Sequence, residues 1–408
     1  MNEYNIDFHI HSKYSGGTSP EMELPVIASQ AQLKGLDVMG TSDCLHGKWL
    51  KHMRDKLQPS AEGVYSIKDS KTKFIVTTEI EDERRVHHIL LFPSIESAED
   101  MRDRLKKLSP NLDSDGRPNL RLNGEALVDC ANEVDALVGP SHAFTPWTAV
   151  YKEYGSLREC YGSNLKHIKF LELGLSADSD MADTLSELQD IVFMSNSDCH
   201  SPWPHRIGRE FNRLLLKEVS FKEIVKAFDR NGGRKFTLNA GLNPKEGKYH
   251  VTACSRCFTK FRIDDAVSLK YRCPECRGLI KKGVSDRIRE LADRSQPVRP
   301  KHRPPYLHIL PLAEVISLAK GVKSLFSKKV QDDWKLIVGK FGTEINALVD
   351  VPVDEIKKAD QQIGIVIERF RTGRISYVAG GGGQYGRPTL KEEKEIYFGA
   401  GQKKLTEW

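Results

Sequence analysis

Tyr4-Asn5-Ile6-Asp7-Phe8-His9-Ile10-His11 reads as a short apolar strand that ends in two histidines. In an extended chain residues i and i+2 lie on one side, so both imidazoles point the same way and form a two-pronged metal grip at the strand tip. The device recurs. Val38-Met39-Gly40 leads to Asp43 and then His46, Phe74-Ile75-Val76 leads to Glu79, and Val86 opens a strand carrying His87 and His88. Leu137-Val138 leads to His142, and Val192-Phe193-Met194 leads to Asp198 and His200. In nearly every case an apolar segment delivers a His, Asp or Glu at or near its C-terminal end.

One histidine beside a strand is usually a solvated or capping residue. A series is different, because in an α/β barrel or doubly wound sheet the C-terminal strand ends converge on one face, where catalytic groups collect. Imidazole and carboxylate ligands suit Zn, Mn, Fe or Mg. The candidate ligands are His9, His11, Asp43, His46, Glu79, His88, His142, Asp198 and His200. They exceed the needs of one ion and point to two or three divalent ions (Zn, Mn or Mg). His87 and His88 are adjacent, so only one of them can face the site, and the position before Ile89-Leu90-Leu91 selects His88. Glu79 is the expected bridging carboxylate; Glu79, Asp198 and His200 are the expected catalytic residues. Such ions lower the pKa of a bound water from about 15.7 toward ~7, which suits hydrolysis of a phosphate ester.

At these residues the chain resembles the polymerase and histidinol phosphatase (PHP) family. The resemblance rests on His9-Ile10-His11, Asp43 with His46, Glu79, His88-Ile89-Leu90-Leu91, Ser141-His142 and Asp198-Cys199-His200. One departure is Ser42-Asp43-Cys44, where the family often has Asp-His. The resemblance implies a distorted β/α barrel with a metal-dependent phosphoesterase site.

The 408 residues allow two or three domains. No apolar run approaches the ~20 residues of a membrane helix, and the polar, acidic N-terminus is not a signal peptide. Four of the eight cysteines form one spaced set, Cys254-x2-Cys257 and Cys273-x2-Cys276, while Cys44, Cys130, Cys160 and Cys199 are scattered. That usage fits a cytoplasmic protein with a structural zinc ribbon rather than a disulfide scaffold. The net charge of +6 is uneven: residues 248–303 hold 15 Lys and Arg against 6 Asp and Glu, a net of +9, which leaves −3 elsewhere. With Zn2+ and four thiolates included the module is still about +7. A basic module on a slightly acidic body points to nucleic acid.

Three regions follow: a phosphoesterase domain over 1–242, a zinc-ribbon basic module over 243–294, and a linker, helical segment and C-terminal hairpin over 295–408. The fold class is α/β, a distorted barrel with a four-cysteine ribbon and a small α+β C-terminal region. Within the first region Ser19 and Pro20 open a helix that runs to Gly35, delayed or bent by Pro25. Asn123 and Ser220 cap two more, and 235–240 is the closing strand. Beyond the ribbon, 281–291, 312–319, 330–341 and 347–353 read as helices, 295–305 as a stiff Pro-rich connector, and the helical segment is too small to stand alone, so it docks on the barrel. Residues 364–370 and 374–378 read as strands joined at Thr372-Gly373, followed by Gly380 to Gly383 as an ordered loop.

Candidate DNA contacts are Lys13 in the Gly-rich loop after the His pair, Arg206 in Ser201-Pro202-Trp203-Pro204-His205-Arg206, and Arg256, Lys260 and Arg262 among the ribbon's aromatics. Arg374, Tyr385 and Arg387 flank the glycine run. The ribbon's aromatics themselves are expected to form its small core. A barrel with a cysteine quartet, a basic connector and a Gly-rich hairpin resembles a DNA-repair branch of the PHP family. That implies an endonuclease cutting 5′ to deaminated bases (uracil, hypoxanthine, xanthine) and to abasic sites. A sliding clamp is one further partner open to such an enzyme, and no membrane is expected. The alternatives are a small-molecule phosphomonoesterase, which leaves the basic module without a purpose, and a non-catalytic DNA-binding protein, which has no need of so many ligands.

Overall fold

In the computed structural model, which describes residues 1–391, 393 and 395–398, the first strand, β1 (Asn2–Asp7), is central. It lies parallel to β2 (Val38–Gly40), which is followed by the outer hairpin β3 (Gln58–Ala61) and β4 (Val64–Ser66) and by β5 (Lys73–Glu81), parallel to β2. Next come β6 (His87–Phe92) and β7 (Leu137–Pro140), each antiparallel to its predecessor, then the parallel pair β8 (Phe170–Glu172) and β9 (Val192–Met194). β10 (Phe211–Leu216) returns antiparallel to β1, with β11 (Lys235–Gly241) beside it. The expected closing strand is thus present, but it is one strand removed from β1.

The strands do not close into a hydrogen-bonded barrel: β8 and β9 pair with each other and with no strand of the large sheet, which leaves the barrel distorted and open. Between β7 and β8 the backbones come very close: a Cβ on Gly139 would lie 2.4 Å from the Phe170 carbonyl, so only glycine fits. On the other side amide side chains replace ladder bonds. Asn212 Oδ1 accepts from Ser195 N–H at 2.9 Å, and Asn239 Nδ2 donates to the Phe193 carbonyl at 3.0 Å. Past the strand ends, Asp198 N–H bonds the His9 carbonyl (2.9 Å) and His11 N–H the Cys199 carbonyl (3.0 Å). That backbone contact lies where His9, His11 and Asp198 sit.

Three local expectations differ. The first helix runs Leu24–Lys34, with Pro25 in its first turn, where a missing N–H costs nothing, and ends on Gly35 at φ 97°. Residues 364–370 are not a strand. They belong to a helix, Gln361–Arg371, capped by the Asp360 side chain on Ile363 N–H at 3.0 Å. Ile363, Val366, Ile367 and Phe370, at i, i+3, i+4 and i+7, are all buried. Their β-branched composition imitates a strand, whereas their spacing is helical. The hairpin is formed instead by β12 (Ser376–Val378) and β13 (Arg387–Thr389), paired across the glycine run.

The helices Leu312–Lys320, Lys328–Phe341, Val353–Ala359 and Gln361–Arg371 share one apolar core with the barrel. A fully buried pair, Lys34 Nζ to Glu344 Oε1 at 2.6 Å, pins that docking, and Glu344 also accepts from Trp334 Nε1 at 2.7 Å. The ribbon has its own small core of Cys254, Phe261, Ala266, Cys273 and Ile280, so the expectation for its aromatics fits Phe261, while Phe258 stays exposed. The connector is less solvated than its composition suggests. Arg303 is buried against Asp183 (2.9 Å), with its guanidinium 3.3 Å from the Phe193 ring centre. Among the described residues no helix is long and apolar enough to cross a membrane.

Candidate metal centre and its cavity

Three interlocking sets of donors gather at the strand ends. His9, His11 and Glu79 form one, His11, Asp198 and His200 a second, and Glu79, His87 and His142 a third, with the ligand atoms of each set within 4.8 Å of one another. Glu79 lies at the centre. Its carboxylate is 3.0 Å from His87 Nδ1, 3.0 Å from His142 Nε2, 3.5 Å from His11 Nε2 and 3.6 Å from His9 Nε2. Asp198 Oδ1 is 3.1 Å from His11 Nε2 and 3.7 Å from His9 Nε2. Donors bound to one ion at ~2.1 Å stand roughly 3–3.4 Å apart; three of these pairs, at 3.0–3.1 Å, fall in that range and the other three, at 3.5–3.7 Å, lie just beyond it. His9 Nε2 is buried with no hydrogen-bond partner although two carboxylates face it. A ring of lone pairs converging on a common centre fits divalent cations.

The imidazoles are aimed from behind. Glu172 Oε2 holds His9 Nδ1 at 2.8 Å, Glu81 holds His87 Nε2 at 3.1 Å, and Thr145 Oγ1 lies 3.3 Å from His142 Nδ1. Ser15 Oγ bonds His11 Nδ1 at 3.2 Å, with Asp43 Oδ1 at 3.6 Å on the same side. Such partners fix ring orientation and tautomer. Asp198, His142 and Asp43 have φ of 44°, 26° and 41°, a region costly for non-glycine residues and common at functional sites.

Burial works against charge throughout, and the pairing outweighs it. The imidazoles of His87, His9 and His142 hold Glu79 well below the usual carboxylate range. Glu172 and Glu79 hold His9 well above the usual imidazole range. Hydrogen bonds to Asp198 and Asp43 bring His11 up to about 9.

Not every expected ligand lies in the cluster. His88 is corrected to His87: because strand side chains alternate, His88 points away, with Nδ1 2.9 Å from the Tyr161 hydroxyl and Nε2 3.2 Å from Asp82. β6 is antiparallel to β5 and reaches the site by its N-terminal end, contrary to the rule of C-terminal ends. His46 caps the helix Gly47–Lys56, accepting from Trp49 N–H, and stacks on Tyr14 at 4.4 Å. Asp43 bonds Ser12 N–H (2.8 Å), Ser15 and Ser42, behind His11 rather than between the rings. Glu172 and Glu81 were absent from the expected set, although Phe170-Leu171-Glu172 repeats the motif of an apolar run ending in a carboxylate.

The ribbon cysteines converge as well, Cys254 and Cys276 Sγ 3.4 Å apart and Cys257 and Cys273 Sγ 3.6 Å apart. These separations are too long for disulfides and near the ~3.8 Å edge of a tetrahedron with Zn–S bonds of about 2.3 Å. Arg256 N–H and Gly278 N–H each donate to a sulfur.

Above the donors opens a cavity of about 610 Å³. Its walls carry Arg85, Arg117, Arg206, Arg209 and Lys248, and the aromatics Trp147, Tyr249 and Tyr385. Of the expected DNA contacts, Arg206 and Tyr385 are on this wall, as is Gly17 from the loop after the His pair. Lys13 is turned to Glu23 at 2.5 Å. Arg256 donates to the Cys276 carbonyl, Lys260 faces Glu395 at 3.7 Å, Arg387 is bonded to Glu393 at 2.6 Å, and Arg262 and Arg374 lie exposed elsewhere on the surface. The glycine run turns its first and last amides to the protein. Gly380 N–H bonds the Lys245 carbonyl (2.7 Å) and Gly383 N–H that of Lys248 (2.9 Å), so the run stitches the hairpin to the ribbon entrance.

Residues 311–374 match the family described as the MJ0043 C-terminal domain. The chain is 46% identical over 262 residues to the uncharacterized protein MJ0043 of Methanocaldococcus jannaschii, a match covering 63% of this chain and 32% of that one. It thus spans about a third of that relative's length. It is 30% identical over 417 residues to the uncharacterized protein YqxK of Bacillus subtilis, covering 95% and 99% of the two chains. Among solved structures, the lesion-specific endonuclease PfuEndoQ from Pyrococcus furiosus is 49% identical with a TM-score of 0.91 over 96% of both chains. Endonuclease Q in complex with a 27-mer duplex carrying an abasic lesion at the active site gives the same identity and TM-score over 96% and 97%.

Proposed function

The chain belongs to the endonuclease Q family, and we propose that it is a metal-dependent endonuclease that cuts DNA 5′ to deaminated bases (uracil, hypoxanthine, xanthine) and abasic sites. The observation that carries this reading is one juxtaposition. The His, Asp and Glu donors form the floor of a cavity whose walls are cationic and aromatic.

His9, His11, Glu79, His87, His142, Asp198 and His200 would hold two or three divalent cations, which when bound supply Lewis acidity and an activated water for phosphodiester hydrolysis. The protein's own part is positional. Glu172 and Glu81 keep the His9 and His87 rings turned inward. Asp43, Ser12 and Ser15 hold the loop behind His11. The cavity falls within the size range of single small-ligand sites and suits one nucleotide swung out of the stack, its base against Trp147, Tyr249 or Tyr385 and its phosphates among the arginines. The ends left are a 3′-hydroxyl and a 5′-phosphate. The four thiolates would hold one structural Zn2+, which keeps the ribbon and Lys248 in place.

The test is a panel of end-labelled duplexes with uracil, hypoxanthine, an abasic site or no lesion, incubated with Mg2+, Mn2+ or Zn2+. One cut on the 5′ side of each lesion, absent from the intact duplex and abolished by EDTA, is expected. Release of phosphate from a small phosphomonoester with every duplex intact would overturn the reading.

A further inference from the structure

Five cations line the cavity, but they are not equivalent. Arg85 and Arg206 are on the exposed rim. Arg209 is buried and donates its Nε to the Ser197 carbonyl. Arg117 alone among the described cations touches the donor cluster, with Nη1 3.1 Å from Glu79 Oε2. It also lines the cavity beside His142, Asp198 and His200.

The loop that carries it is built for position. Asp115 Oδ1 accepts from Arg117 N–H at 3.0 Å, and Gly116 N–H bonds the Tyr14 carbonyl at 3.0 Å. A Cβ on Gly116 would lie 2.2 Å from Asp43 Oδ2, so the loop presses bare backbone into the wall of the site. Just beyond, Glu81 N–H bonds the Pro118 carbonyl (2.9 Å) and Leu120 N–H the Glu81 carbonyl (2.7 Å), which fastens the loop along the end of β5. The backbone is fixed on both sides of Arg117, so its side chain is aimed at Glu79 from a set position.

We infer that Arg117 is a catalytic residue that grips the scissile phosphate. The inference rests on the endonuclease reading and assigns a task within it. With Glu79 engaged by divalent cations, Arg117 would lose its carboxylate partner, and a phosphodiester in the cavity would supply negative charge within its reach. A guanidinium is a planar fork that matches two phosphate oxygens. Held on the non-bridging oxygens, it offsets the charge that builds on them as the attacking oxygen adds and the 3′-oxygen leaves, the kind of preorganised contact that dominates such catalysis. The hydrolysis is otherwise unchanged, since Arg117 neither gives nor takes a proton.

Arg117→Ala and Arg117→Lys in the full chain test this with three readings. The single-turnover cut of an abasic duplex slows about 10²-fold or more in Arg117→Ala. It is restored in part by added guanidinium and poorly by Arg117→Lys. Bound metal, counted by mass spectrometry, stays at the wild-type number. In a double-mutant cycle of binding, replacing the scissile phosphate by a neutral methylphosphonate weakens wild type severalfold more than Arg117→Ala. The inference falls if Arg117→Ala cuts at the wild-type rate, if it loses metal (Arg117 is then a counter-ion of Glu79), or if the binding effects are additive. An inactive wild type with an intact metal count and a positive cycle would sink the endonuclease reading while leaving Arg117 as a phosphate contact.

Discussion

His87 and His88 share a strand but face opposite ways, so they have opposite fates. His87 lies between Glu79 and Glu81, while His88 is sealed among Tyr161 and Asp82. His87→Ala is expected to remove metal from the barrel and cutting activity with it. His88→Ala keeps the metal and lowers the melting temperature, because Asp82 and Tyr161 lose a buried partner at a cost of about 1–3 kcal/mol. Metal analysis beside a thermal melt of both variants separates them. The position before Ile89-Leu90-Leu91 points to His88, but which of two adjacent histidines faces the site depends on pairing register, and that selects His87. His46 has the spacing of a ligand but caps a helix, accepting from Trp49 N–H, and Glu172 repeats the strand-end motif while serving behind His9. The two-residue grip of His9 and His11 needed only strand periodicity, and that was legible.

The same histidines set a pH dependence. In the metal-free protein burial disfavours the charged His11, but Asp198 and Asp43 raise it to about 9. This pairing stabilises the metal-free fold fully below the ordinary imidazole value of ~6.5 and is lost as pH rises through about 9. A cation needs the neutral ring, so metal affinity rises over the same window and uptake releases protons. Calorimetry of metal binding in buffers of different ionisation heat checks this. Heats independent of buffer would contradict it.

At the scale of elements, the glycine run shows how composition misleads. Four consecutive glycines beside Tyr385 read as an ordered loop with cations on its flanks, yet two of their amides, those of Gly380 and Gly383, are bonded to the ribbon entrance at Lys245 and Lys248, and Gly381 N–H bonds the Gln384 carbonyl. Gly382 has φ 65° and a Cβ there would lie 2.2 Å from the Cys254 carbonyl, whereas Gly321, also at φ 65°, meets nothing within 4 Å. Gly382→Ala should therefore destabilise by about 1–3 kcal/mol from strain alone, with the clash added, and loosen the ribbon. Gly321→Ala bears only the strain. Equal shifts in melting temperature would argue that the run is a passive linker. The helix Gln361–Arg371 imitates a strand for a related reason: Ile and Val favour strands in composition, and only their spacing at i, i+3, i+4 and i+7 shows which face is buried.

Across the whole molecule, the cavity is assembled from pieces distant in sequence. The barrel supplies the donors and Trp147, the ribbon entrance Lys248 and Tyr249, and the hairpin Tyr385. Trp147 is bound to the ribbon by Lys281, whose ammonium lies 4.0 Å from the ring centre. The barrel's alternation and the cysteine spacing made the parts legible. Their contact was not, because nothing local encodes which loops meet. The +9 over residues 248–303, close to a cavity rich in arginine, leads to a steep fall of duplex affinity with salt, since each neutralised phosphate contributes about −0.9 to the slope of log affinity against log salt. A flat plot would show that the basic module is no part of the footprint.

The most direct test is the number of metal ions bound per chain in wild type and in Glu79→Ala, counted by mass spectrometry after dialysis. Wild type should carry two or three ions beyond the one held by the cysteine quartet, and Glu79→Ala should lose those and keep only the ribbon's. An unchanged count in the variant, or a wild type holding a single ion, would contradict a shared metal centre at the strand ends.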